Sequence, residues 1–116
     1  MDRDAEQLLR AAYAAFNARD IDSALAIMTP DVDWPNVAEN RRVIGHEAVR
    51  DYWTRQWREI DPLVDPRGFR ELDDGRIAVD VHRVVKGMDG EVLVEGEVEH
   101  VYTVRDGLIA RMEASG

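Results

Sequence analysis

Apolar residues recur at helical spacing from Asp4 to Ala18, where Leu8, Leu9, Ala12, Ala15 and Phe16 form one stripe. Acidic residues at its front suit the positive end of a helix dipole. After a break at Asn17 to Asp20, Ile21, Ala24, Leu25 and Met28 repeat on one helical face, and Pro30 ends that second helix. Two short strands, Asp31 to Trp34 and Arg41 to Ile44, flank a Pro-Asn loop. Gly45-His46-Glu47 opens a third helix to Ile60, with Val49, Tyr52, Trp53, Gln56, Trp57 and Ile60 on a broad face, and Pro62 closes it. From there the pattern turns to strand. Residues 63–73, 76–87, 91–105 and 108–114 read as strands, separated by Asp74-Gly75, Asp89-Gly90 and Asp106-Gly107. Asp-Gly between alternating runs favours a two-residue hairpin, because both central residues must take positive φ. The expectation is one α+β domain over residues 1–116, with helices on one face of a sheet.

The hairpin turns also fix which side chains share a face. A two-residue turn at Asp89-Gly90 sets Asp80 opposite Glu99 and His82 opposite Glu97, all four on one face. The other face carries Ile77, Val79, Val81, Val85, Val94, Val98, His100 and Tyr102. A two-residue turn at Asp106-Gly107 sets Val101 opposite Met112, which puts both on the face of the acids. Neither face is then simply wet. A bulge, for instance at Gly96, could swap the parity along the strand. Alternatively the sheet is covered on both sides, by helices on one and a second subunit on the other.

Composition narrows the classes. The chain has 116 residues, with 24 acidic against 15 basic side chains and a formal charge of −9. Nucleic acid and anionic membrane surfaces call for clustered cations, so neither is an expected partner. There is no cysteine, which excludes disulfides, thiolate metal sites and cysteine nucleophiles. No apolar run reaches the roughly 20 residues of a membrane span, and the start does not read as a signal peptide, so the expected setting is the cytoplasm. Metal-ligand spacings, phosphate loops and dinucleotide fingerprints are missing from the sequence, so no metal and no cofactor is expected.

Four segments carry a family resemblance: the run from Tyr13 to Leu25, Asp31-Val-Asp-Trp34, the Gly45-His-Glu-Ala-Val helix start, and the ending from Glu99 through Tyr102 to Ile109. In order and spacing they resemble the nuclear-transport-factor-2-like superfamily, and most closely its SnoaL-like group, related to polyketide cyclases and ketosteroid isomerases. The resemblance covers the whole chain. It implies a cone of helices wrapped by a curved sheet around a pocket, and it favours the two-sided cover. Steroid-isomerase residues transfer only in part. The general-base aspartate falls on Asn36, which cannot abstract a proton, and the oxyanion-hole tyrosine falls on Ala12, one residue before Tyr13. The protonated acid falls on Glu99 and an aromatic wall on Tyr52.

On that reading His82 is the expected acid–base centre, tuned by Asp80 and Glu99, since carboxylates raise and orient a histidine. Asp80 and Glu99 are like charges directly opposite, so one would hold a proton if buried. Phe16, Trp34, Tyr52, Val101 and Met112 are the expected pocket wall. His100 reads as a structural histidine, His46 as exposed or capping, and Arg41-Arg42 as an anion site or a solvated edge. The valines opposite the acids suggest a homodimer through the outer sheet face. Two functions compete. One is a cofactor-free isomerase, cyclase or dehydratase acting on a small apolar carbonyl or polyketide-like compound. The other is a non-catalytic module that binds a small ligand or a protein.

Overall fold

Three helices and six strands follow one another as α1 (Arg3–Asn17), α2 (Ile21–Ala26), β1 (Met28–Asn36), β2 (Arg41–Ile44), α3 (His46–Glu59), β3 (Ile60–Glu71), β4 (Ile77–Gly87), β5 (Val92–Arg105) and β6 (Leu108–Ser115). The computed structural model describes residues 3–115; positions 1, 2 and 116 of the expected domain lie outside the described residues. Met28 opens β1 rather than ending α2, and Pro62 sits inside β3, after the helix has ended at Glu59. The six strands form one sheet in the order β2-β1-β6-β5-β4-β3. Its one parallel contact, β1 with β6, joins the early hairpin to the later meander. Arg42 holds that junction, donating to the Asp33 carboxylate at 2.6 Å and to the Met112 carbonyl at 2.6 Å. It is therefore a structural cross-link rather than an anion site.

The helices pack on one face of the sheet, called inner here, around Leu9, Val32, Val49, Trp53, Val79, Val81, Tyr102 and Ile109. Val79 and Val81 are fully buried there, and Val98 packs against the same core. Of the valines read as an outer subunit contact, Val79, Val81 and Val98 thus face the helices, Val85 lines the cavity and Val94 is exposed. The outer face carries ion pairs instead. Arg70 lies 2.5 Å from Glu99 and 3.6 Å from Asp80, Arg76 lies 2.8 Å from Glu113, and Arg111 joins Asp33 to Glu113.

The register explains why. Asp80 pairs with Glu99 and His82 with Glu97, as expected, but by two departures that cancel. The Asp89-Gly90 connection is a three-residue loop, closed by the Gly87 amide donating to the Glu91 carbonyl at 2.8 Å. A one-residue shift between Val85 and Lys86 then restores the pairing. At Asp106-Gly107 the two-residue turn is present, with positive φ at both residues (54° and 77°). A bulge beyond it, at Ala110, moves Tyr102 opposite Met112 and Val101 opposite Glu113. Met112 therefore joins His100 and Tyr102 on the inner face, and Val101 stays with the acids outside. A bulge in β6 resolves the conflict between the faces.

Candidate functional site

A cavity of about 320 Å³ opens between α1, α3 and the inner face of the sheet. Its walls are largely apolar and aromatic, with Phe16, Trp34, Tyr52, Trp53 and Met112 among them, and the exposed Val37 marks its rim. The chain folds this way locally because Leu9, Ala12, Tyr13 and Phe16 repeat at i, i+3, i+4 and i+7, which turns Tyr13 and Phe16 inward together. Asn17 then pins the end of α1 to β3. Its side-chain amide donates to the Val64 carbonyl at 2.7 Å and accepts from the Val64 amide at 3.0 Å. Aromatic rings build the floor, with Trp53 edge-on to Phe16 at 5.2 Å and to Trp34 at 5.5 Å.

The polar groups in this apolar space are few, and two of them pair. The Tyr13 hydroxyl lies 2.8 Å from His100 Nδ1, and the two rings stack with an interplanar angle of 6°. Tyr102 stands edge-on to both. Burial in the cavity wall pushes the His100 pKa down to about 4, and the nearby positive charge of Arg83 adds to the effect. Burial also carries the Tyr13 and Tyr102 hydroxyls far above the usual tyrosine range. All three are neutral at pH near 7. Either tyrosine O–H donates to imidazole nitrogen, or Nδ1–H donates to the tyrosine oxygen, according to tautomer. No Asp or Glu lines the cavity among the described residues.

The expected site residues divide cleanly. Phe16, Trp34, Tyr52 and Met112 line the cavity. His82, Asp80, Glu99 and Val101 do not, because they occupy the outer face of β4 and β5. His82 is bonded there to Glu97 at 2.7 Å and to Glu95 at 3.0 Å, and these hydrogen bonds hold its pKa above the usual histidine range. Asp80 and Glu99 both pair with Arg70, which compensates their like charges. A group on the far side of the sheet cannot reach a molecule in the cavity. The carboxyl transferred from the steroid isomerases to Glu99 thus falls one residue short of the inward side chain, His100. Ala12, onto which the isomerase tyrosine transfers, lines the cavity beside Tyr13. Asn36 is buried and committed to Glu39, at 3.0 Å and 3.1 Å. His46 bonds the Met28 carbonyl at 3.1 Å and serves the backbone.

The model of the SnoaL-like domain matches residues 9–112, nearly the whole chain. The chain belongs to the SnoaL-like family. Its fold is the nuclear-transport-factor-2-like cone, seen in three similar solved structures. TerC, co-crystallised with polyporic acid, is 29% identical at a TM-score of 0.83, covering 96% of this chain and 89% of that one. A protein of unknown function from Burkholderia pseudomallei is 26% identical at 0.82, covering 98% and 90%. A proposed polyketide cyclase from Xanthomonas campestris pv. campestris is 25% identical at 0.81, covering 97% and 89%. Among curated proteins none matches the sequence. Within this SnoaL-like domain, sequence reasoning left Tyr13 and Arg83 out of the site and read His100 as structural. The available signals were the helical stripe through Tyr13 and a lone arginine interrupting the run Val79, Val81, Val85 on the inner face.

Proposed function

We propose that this SnoaL-like domain binds a small, mostly apolar carbonyl compound in its cone and moves a proton on it without a cofactor. The observation that carries the reading is the neutral Tyr13–His100 pair, 2.8 Å apart inside a largely apolar cavity. Such a pair can do both halves of a proton transfer. With Nδ1–H donated to Tyr13, His100 Nε2 is a free base able to accept a proton from an activated carbon, while the Tyr13 hydroxyl is free to donate to a developing enolate oxygen. Return of the proton to another carbon completes an isomerisation, and attack of the enolate on a second carbonyl would close a ring. A neutral imidazole with a depressed pKa is a known way to polarise a carbonyl. The 29% identity to TerC, co-crystallised with polyporic acid, supports a small-molecule ligand, and the 25% identity to a proposed polyketide cyclase supports a carbonyl-rich one.

One observation favours a second reading, binding without turnover. A His100 pKa of about 4 is well below neutrality, and the best general bases titrate near the working pH. Solvent deuterium separates the two. Trp34 and Trp53 line the cavity, so cyclic ketones and β-diketones that bind should change tryptophan fluorescence. For those compounds the wild type should accelerate exchange of acidic C–H positions in deuterium oxide, followed by proton NMR. His100→Gln should slow that exchange by roughly 10²–10⁴, the effect of losing an acid–base group. Binding with no acceleration would establish the second reading. Acceleration undiminished in His100→Gln would remove His100 from the chemistry.

A further inference from the structure

We infer that Arg83 is an anion-recognition site, so that the ligand is an apolar or aromatic molecule carrying one anionic oxygen group, a carboxylate or an ionised enol. The assignment rests on the cavity being the ligand site and names the chemical class it takes. Arg83 projects from β4 on the inner face and lines the cavity. Its Nε is buried without a hydrogen-bond partner. Elsewhere in the sheet, arginines at the surface meet acids: Arg70 with Glu99, Arg76 with Glu113, Arg111 with Asp33. In a chain with 24 acidic residues, Arg83 faces a wall on which, among the described residues, no carboxylate stands. A guanidinium cannot shed its proton to escape that position. A buried donor without a partner is costly, and the cost is offset when a charged acceptor arrives.

The neighbouring strand leaves room for that acceptor. Gly96 sits directly opposite Arg83, so a side chain there would share the inner face. Its φ is not in the positive region, and a Cβ built on it meets nothing within 4 Å. Neither backbone conformation nor packing therefore demands glycine. What glycine leaves is open space across from Arg83 on the neighbouring strand. An anionic oxygen held there would be fixed by a planar, two-pronged donor. The ligand's apolar body would lie against Phe16, Trp34 and Trp53.

The test uses the whole chain and three probes: naphthoate, its uncharged amide, and the enolate of a phenyl-substituted cyclic β-diketone. Calorimetric titration should show naphthoate binding the wild type at least about tenfold more tightly than naphthamide, as expected of a charge-assisted pair. Arg83→Gln should erase that preference while leaving amide binding in place, and Arg83→Lys should keep part of it. Gly96→Val, whose Cβ has free space, should weaken both anionic probes by filling the space across from Arg83. Tighter binding of the enolate than of naphthoate would assign the ionised enol, and the reverse order the carboxylate; each supports the site. Equal affinity of naphthoate and naphthamide in the wild type would overturn the assignment and leave the cavity reading intact. A preference that persists in Arg83→Gln would overturn it too. If none of the probes binds, the cavity reading falls and this assignment falls with it.

Discussion

Between about pH 7 and about pH 5 the wild-type fold should lose about 2 kcal/mol more stability than a His100→Gln variant loses. The sign follows from the direction of the shift. Burial pushes the folded-state pKa of His100 down to about 4, against 6.5 for an unburied histidine. Between those values the unfolded chain binds a proton that the folded chain refuses, so acid favours unfolding. The stability linked to His100 is complete above the unfolded value and erodes as the pH falls toward the folded one. Carboxylates across the molecule also titrate at low pH, but they do so in both proteins, and the difference isolates His100. His82 has the opposite sign. Its pKa is raised by Glu97 and Glu95, so its contribution is present at low pH and is lost as the pH rises through the raised value. Urea unfolding at a series of pH values measures the effect. Parallel curves for the wild type and His100→Gln would mean that the imidazole is not held neutral by burial.

The second large effect concerns the cavity floor. Trp53→Ala should cost about 3–5 kcal/mol, the range for removing a large buried aromatic ring. Trp53 is 2% exposed and touches Phe16, Trp34 and Trp57 with ring centres 5.2, 5.5 and 5.7 Å away. Its loss therefore strips a shared partner from three rings and merges its volume with the cavity. A domain of this size has of order 5–15 kcal/mol in total, so the variant should be barely folded at body temperature. Met88→Ala, at an exposed hairpin tip, should change stability by less than about 0.5 kcal/mol and serves as the comparison. A loss below about 1 kcal/mol for Trp53→Ala would contradict the picture of a packed aromatic floor.

Much of the fold was legible because its signals are local. The stripe of α1, the broad face of α3 and the Asp-Gly connections each depend on a few neighbouring residues, and all appear where the pattern places them. Phe16, Trp34, Tyr52 and Met112 were legible as cavity wall for the same reason: large apolar groups on those elements have one place to go. The choice between His82 and His100 was not legible. It turns on one extra residue at Ala110, and a one-residue shift moves every side chain beyond it to the other face. The three-residue loop before Gly90 and its compensating shift left Asp80 and His82 correctly paired, so the pairing gave no warning that the face had been misassigned. The parallel contact between β1 and β6 is a long-range pairing with no local signature. Arg83 needed only the question of why a charge interrupts an apolar face opposite a glycine.

If the inner face, with His100, is the functional side of the sheet, a bound ligand is felt there and not on the outer face. The most direct measurement is the NMR spectrum of the ring protons of the three histidines during titration with naphthoate. The His100 signals should shift as the cavity fills, while those of His82, paired to Glu97 and Glu95 outside, stay in place. Movement of the His82 signals with those of His100 unchanged would contradict that assignment of the inner face.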